Sequence, residues 1–288
     1  MKESRYAAPE TVDEAVRLLA GADGGARILA GGTDLLVQMR AGMVAPGLIV
    51  DVKKIAEMTT IRAESGGFRI GAAVSGAEIG EHAGLRKAWP GVVEAINLIG
   101  SKQVQGRASA GGNLCNASPA ADSVPAMVAA GAVLTIQGPG GRRELAVEKL
   151  LVGPGKTALA RGEIVVSFAL PARPKGSGDA YLRLIPRTEM DIAVVGCGVS
   201  LTMDGERCVA ARIGLGAIAP TVLLVEAAGK ALVGSTLDAA ALEAAAAACR
   251  AACKPIDDKR GTIVYRTKIA GVLLKRAVAI AAERARRS

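Results

Sequence analysis

The chain has 288 residues, half of them hydrophobic, a formal net charge of +9 and only 2% aromatic side chains. That length suits one large domain or two ordinary ones with a sizeable core, and no stretch approaches the roughly 20 uninterrupted apolar residues of a membrane span. The scarcity of aromatics leaves no stacking platform, and the basic residues are scattered apart from the terminal ERARRS, so the charge does not indicate a nucleic-acid partner.

In chain order, Thr11-Val-Asp-Glu14 reads as a capping box that opens a helix to about Ala20. Ala26 to Ala30 is a short strand, Gly31-Gly32 turns it, Asp34 to Arg40 has helical apolar spacing closed by Gly42, and Gly47 to Val52 is a buried strand. Phe68 to Ala73 is a further strand, Ser75-Gly-Ala-Glu78 a second capping box with a helix through His82, and Pro90 starts a helix to about Ile99. Arg107 to Asp122, RASAGGNLCNASPAAD, reads as a long irregular segment; apolar elements bound it closely, which favours function over disorder. A helix then begins at Asp122, with Pro125 in its first turn.

Val133 to Gln137 and Arg143 to Val147 form a hairpin around Gly138-Pro-Gly-Gly141, and Glu163 to Leu170 is a strand stopped by Pro171. Arg173 to Asp179 (RPKGSGD) is the best linker candidate, which predicts domains of 1–175 and 176–288. Beyond it, Asp191 to Met203 and Arg207 to Leu215 are strands joined by Asp204-Gly205, followed by helices from Leu237 to about Cys253 and from Ile263 to Arg286. The pattern is α+β.

The chemistry-bearing residues exclude several classes. The single histidine, His82, cannot build a metal site, and five cysteines (Cys115, Cys197, Cys208, Cys249, Cys253) without short paired spacing read as free buried thiols. The N-terminal MKESRYAAPE has no apolar region after its charges, so no secretory signal is visible and the cytoplasm is the expected compartment.

Three glycine signals are candidates for phosphate binding, because bare backbone lets several N–H groups point at one anion. Gly153-Pro-Gly-Lys-Thr157 lacks the first glycine of a P-loop, since Leu150 stands there, and reads as a plain turn. Gly214 to Ala219 fits a relaxed dinucleotide fingerprint, but its strand belongs to a hairpin and Pro220 follows at once. AGGTD (Ala30 to Asp34) and SAGGN (Ser109 to Asn113) form a pair of Gly-Gly turns able to close on one diphosphate from opposite sides. Asp122 would accept hydrogen bonds from the hydroxyls of a sugar or sugar alcohol, or cap its helix.

With AGGTDLL, ASAGGNLCNASPAAD, EIVVSFALP, DIAVVGCGVSL and the terminal helix after Tyr265-Arg266, the chain resembles the FAD-binding medium subunit of the molybdenum hydroxylases, the family of xanthine dehydrogenase and aerobic carbon monoxide dehydrogenase. The resemblance implies a two-part FAD-binding domain of the vanillyl-alcohol-oxidase-like (PCMH) type followed by a smaller α+β domain. It places Ile28, Leu29, Ala30, Gly31, Gly32, Thr33, Asp34 and Leu35, together with Ser109, Ala110, Gly111, Gly112 and Asn113, around the FAD diphosphate. Asp122 would bind the hydroxylated part of FAD, Ile99 and Val165 its apolar portions, and Arg183 falls where some relatives have lysine near the flavin.

The implied partners are a large molybdopterin-binding subunit and a small subunit with [2Fe-2S] clusters, in a dimer of heterotrimers. The implied role is electron transfer through FAD, with no acid, base or nucleophile on this chain. GGTDLL is also similar to 4-hydroxybenzoyl-CoA reductase medium subunits, but no four-cysteine insertion follows Cys115 or precedes Cys197, which favours an oxidising hydroxylase. Two rival functions stay open at this point: a nicotinamide-dependent dehydrogenase using Gly214 to Ala219, and a non-enzymatic basic binding protein.

Overall fold

Strand, turn and helix alternate over the first fifty residues and close into a three-stranded parallel sheet, with Leu48–Asp51 between Arg5–Ala7 and Ala26–Leu29. The computed structural model describes residues 4–288; the first three residues of the charged N-terminal segment lie outside them. Parallel pairing requires crossovers, which the helices Val12–Gly21 and Leu35–Arg40 supply. Thr11 caps the first helix by accepting from the Glu14 N–H at 3.2 Å. The Glu14 carboxylate accepts from the Glu10 N–H, one residue before the expected capping-box partner. The second capping box, Ser75 with Glu78, forms as predicted.

The middle of the chain builds a five-stranded antiparallel sheet in the order Ile61–Glu64, Gly67–Gly71, Ile164–Leu170, Val133–Gly138 and Gly141–Ala146. The predicted hairpin is present, with Gly138 opposite Gly141. Ile164–Leu170 is central, and its Val166 and Phe168 are fully buried with Ile70, Leu134 and Ile136. Helix Ser123–Ala130 is buried along its whole length. One side meets this core, and the other meets a second antiparallel sheet, Ser177–Leu184, Val195–Asp204, Arg207–Gly216 and Leu223–Leu224. That sheet is backed by Glu226–Leu232 and Ile263–Arg286, the second as predicted, with Ala239–Ala252 packed on both helices over an alanine- and leucine-rich core.

The close approach of helix and sheet depends on missing side chains. A Cβ on Gly198 or Gly214 would stand 2.5 or 2.2 Å from the Pro125 carbonyl oxygen, and one on Gly216 would stand 2.7 Å from Pro125 Cγ. The dinucleotide-like glycines therefore serve packing. Arg207–Gly216 pairs antiparallel with both neighbours, so it opens no βαβ unit and the nicotinamide alternative loses its site.

Arg173 to Asp179 is not the free linker its composition suggests. Ser177 already begins a strand, and Arg173 lies 4.7 Å over the Trp89 ring while pairing with Asp179 at 2.8 Å. Asp179 also accepts from the Val92 N–H at 3.3 Å. Arg284 of the last helix donates to the Asp179 carbonyl at 2.7 Å and pairs with Glu94. Gly91 is required here, because its Cβ would lie 2.6 Å from the Asp179 carboxylate.

This buried junction yields a pH expectation. Burial pushes the Asp179 carboxyl up from 3.8 to about 6, against the pull of Arg173 and Arg284. A carboxyl whose pKa is higher folded than unfolded favours the fold when protonated. Its contribution is present below about 4 and lost as pH rises through about 6, on the order of 3 kcal/mol for a shift of this size. The value of about 6 already includes the pull of Arg173 and Arg284, and Asp179→Asn has no carboxyl to titrate, so the difference between wild type and variant across pH isolates this group. Wild-type stability should fall relative to Asp179→Asn between pH 4 and 7, followed by the fluorescence of Trp89, the chain's single tryptophan. A relative rise would mean that the two arginines more than offset desolvation.

Candidate functional site

A cavity of about 860 Å³ opens where the parallel sheet, the Arg107–Asp122 segment and the hairpin Leu151–Gly153/Lys156–Thr157 converge. That volume lies in the upper part of the range for ligand pockets. Ala30–Asp34 leaves the C-terminal end of strand Ala26–Leu29, the edge at which parallel strands present ligand sites. Gly32 adopts φ +76°, and a Cβ on Gly31 would stand 1.9 Å from the Arg107 carbonyl oxygen, so the two glycines have separate structural causes. Among the described residues, the backbone N–H groups of Gly31, Gly32, Thr33 and Asp34 donate no hydrogen bonds. Successive unpaired N–H groups form an anion-binding nest.

The opposite wall corrects one expectation: SAGGN is not a second glycine turn. Ala110–Cys115 is a short helix capped by Ser109, whose Oγ accepts from the Gly112 N–H at 3.0 Å and whose carbonyl accepts from the Asn113 N–H at 2.9 Å. Two glycines in six residues argue against a helix by propensity; packing decides, since a Cβ on Gly111 would stand 2.3 Å from the Ala72 carbonyl oxygen. Ile28, Ala30, Gly31, Gly32, Thr33, Asp34, Leu35, Ile99, Ser109, Gly111, Gly112, Asn113 and Val165 all line the cavity. Leu29, Ala110, Asp122 and Arg183 do not.

Several lining residues escaped sequence reasoning, notably Gln38, Cys115, Asn116, Gly155, Thr157, Arg161 and Glu163. The GPGKT segment is a plain turn, as expected, yet it forms part of the cavity wall, tied there by the Gly155 N–H donating to the Ala117 carbonyl at 2.9 Å. Nothing local in the sequence reports where such a hairpin docks.

The description "FAD binding domain in molybdopterin dehydrogenase" belongs to the family model that matches residues 2–173; the "CO dehydrogenase flavoprotein C-terminal domain" matches residues 180–281. The chain belongs to the molybdenum hydroxylase flavoproteins. It is 37% identical over 281 residues to the carbon monoxide dehydrogenase medium chain of Afipia carboxidovorans, covering 98% of this chain and 97% of that one. It is 30% identical to the xanthine dehydrogenase FAD-binding subunit of Escherichia coli O157:H7, covering 95% and 94%. A reconstituted CO dehydrogenase structure from Oligotropha carboxidovorans superposes with a TM-score of 0.95 at 37% identity, covering 98% of both chains. The expected PCMH-type domain followed by a smaller α+β domain is the observed architecture.

The flavoprotein's cavity fits an FAD on the chemistry of its walls. The nest at Gly31–Asp34 suits a diphosphate, and Ile28, Leu35, Ile99, Ile164 and Val165 supply apolar surface. Partial desolvation at the cavity wall raises the Asp34 carboxyl above its ordinary value, although the residue stays exposed to solvent. The Cys115 thiol is pushed up to about 12 by burial and is not a reactive thiolate.

Asp122 and Arg183 sit together behind the cavity wall. Arg183 Nη1 donates to Asp122 Oδ2 at 2.7 Å, and the Tyr181 hydroxyl donates to Oδ1 at 3.2 Å. Burial pushes Asp122 up to about 6 against both partners. Its carboxylate makes no bond to the helix it precedes, so the capping role is not observed. The next residue, Ser123, hydrogen-bonds through Oγ to the lining side chain of Asn113 at 2.8 Å. Arg183 Nε is buried without a partner. His82 performs no site chemistry: its Nδ1 accepts from the Leu85 N–H at 3.1 Å, and its ring packs edge-on to Phe68.

Proposed function

We propose that this chain holds FAD in the cavity between its two glycine-containing walls and passes electrons from the [2Fe-2S] clusters of a small partner subunit to a final acceptor. The complex would also contain a large molybdopterin-binding subunit, in a dimer of heterotrimers in the cytoplasm, with the domain boundary of this chain at residue 175. One observation carries the cofactor assignment: four consecutive residues with unpaired N–H groups, Gly31 to Asp34, line a cavity of about 860 Å³. Bound FAD supplies chemistry in both one- and two-electron steps, which suits a station after iron–sulfur clusters.

The chain's own residues bind and orient. The Gly31–Asp34 N–H groups hold the diphosphate, with Ser109–Asn113 opposite. Asp122 uses two of its roughly four acceptor sites on Arg183 and Tyr181; because it stands behind the lining, it would meet ligand hydroxyls only if the wall shifts to admit them. Ile99 and Val165 exclude water from the apolar portions, while Leu29, Ala110 and Arg183 support the walls from behind. No helix among the described residues is long and apolar enough to cross a membrane.

The test is the visible absorption spectrum of the full chain, co-expressed with its partner subunits and then titrated with FAD. One FAD per chain is expected. A complex whose spectrum lacks flavin bands and that takes up no FAD would overturn the assignment, and salt-sensitive nucleic-acid binding by this flavin-free chain would favour the basic binding alternative.

A further inference from the structure

The cavity walls come from segments far apart in sequence, and what joins them is sparse. Gln38, in helix Leu35–Arg40, donates from Nε2 to Asn116 Oδ1 at 3.1 Å, across 78 positions of sequence. Among the described residues this is the only hydrogen bond between residues 28–43 and residues 107–117. Both side chains line the cavity.

Each partner is anchored to the wall it serves. The Gln38 N–H donates to the Asp34 carbonyl at 2.9 Å, directly behind the unpaired nest, and the Asn116 N–H donates to the Gly112 carbonyl at 2.9 Å. Asn116 also adjoins Ala117, whose carbonyl holds the hairpin at Gly155 and whose φ is +53°. Three walls thus meet at Asn116-Ala117. On the other side, the Gly31 backbone packs against Arg107. That backbone packing and the single side-chain bond are two separate points at which these walls are joined.

We propose that Gln38 and Asn116 are positioning residues that form a clasp, holding the walls together and acting as the gate through which FAD enters and leaves. This rests on the assignment of FAD to the cavity. The helix bearing Gln38 buries none of its residues, so little else restrains that wall. Breaking a neutral, partly buried hydrogen bond of this kind should speed FAD release roughly 3- to 10-fold. Uptake should accelerate too, so that affinity changes less than either rate. A side chain that only shaped the wall would instead raise release and leave uptake unchanged or slower.

The experiment measures FAD uptake and release by stopped-flow flavin fluorescence in the full chain, for wild type, Gln38→Leu, Asn116→Leu, the double variant, and the exchange Gln38→Asn/Asn116→Gln. Circular dichroism and thermal midpoints check folding. The clasp predicts that each single variant accelerates both rates, that the double variant goes no further than either single one, and that the exchange restores slow kinetics in part. Wild-type rates in both single variants, or additive effects in the double variant, would overturn it. If wild type binds no FAD, the cofactor assignment falls and the clasp with it; if wild type binds FAD and the variants behave like it, only the clasp falls.

Discussion

Gly31→Val should yield a destabilised protein without flavin, whereas Gly112→Ala should yield a stable one that holds flavin weakly. The Cβ of Gly31 would lie 1.9 Å from the Arg107 carbonyl oxygen and 2.5 Å from its carbon. Both are backbone atoms that no rotamer change can move, so we expect a loss of about 3 kcal/mol or more and walls forced apart. Gly112 is different: only Ser109 Oγ, at 3.0 Å, lies near its Cβ, and the residue lines the cavity. Alanine improves helix propensity by about 1 kcal/mol, so the fold should hold. The new methyl would occupy ligand space, and we expect FAD affinity to drop at least tenfold, about 1.4 kcal/mol. Chemical denaturation and FAD titration of the two variants separate structural glycine from binding glycine. Unchanged FAD affinity in Gly112→Ala would remove Gly112 from the site.

Gly214→Val should separate the two sheets from the helix they share. Its Cβ would stand 2.2 Å from the Pro125 carbonyl oxygen and 3.0 Å from the carbonyl carbon, backbone atoms that no rotamer change can move. We expect a loss of about 3 kcal/mol or more. Because helix Ser123–Ala130 packs on both cores, the damage should reach the FAD-binding domain, visible as a lowered midpoint for Trp89 fluorescence and as weaker flavin retention. A dinucleotide site at this motif would predict the opposite pattern, in which stability is retained and only nicotinamide-dependent activity is lost. Gly198→Val should behave like Gly214→Val, since it faces the same carbonyl at 2.5 Å.

What was legible in the sequence follows from how local each cause is. The Ser75 capping box, the hairpins at Gly138–Gly141 and Asp204-Gly205, and helix Ile263–Arg286 are set by neighbours in sequence and were predicted. Strand Arg5–Ala7 is three residues with no buried alternation and escaped notice. Arg173–Asp179 reads as a linker from its composition, yet Ser177 opens strand Ser177–Leu184 and Asp179 is held by nearby Arg173 and by Val92 and Arg284 from two distant places. The same distinction runs through the site. The glycine pairs could be found because each is a local anomaly in an alanine-rich chain, but the cause of Gly31 is Arg107 and the cause of Gly111 is Ala72, neither adjacent in sequence. Gln38 and Asn116 carry no signal of their own; their meaning appears only when the fold brings them to 3.1 Å.

The position of Ile164–Leu170 also governs timing. This strand is the middle of its sheet, pairing with Gly67–Gly71 on one side and Val133–Gly138 on the other, so the two outer hairpins each keep one open edge until residue 170 has been made. At translation rates of roughly 5–20 residues per second, the nascent chain spends roughly 5–20 s after Gly71 with that first edge open, and only a few seconds after Gly138 with the second, while the cavity lacks its Val165 wall. Flavin capture therefore waits for Ile164–Leu170, and a ribosome that stalls before Ile164 leaves two exposed sheet edges as templates for aggregation.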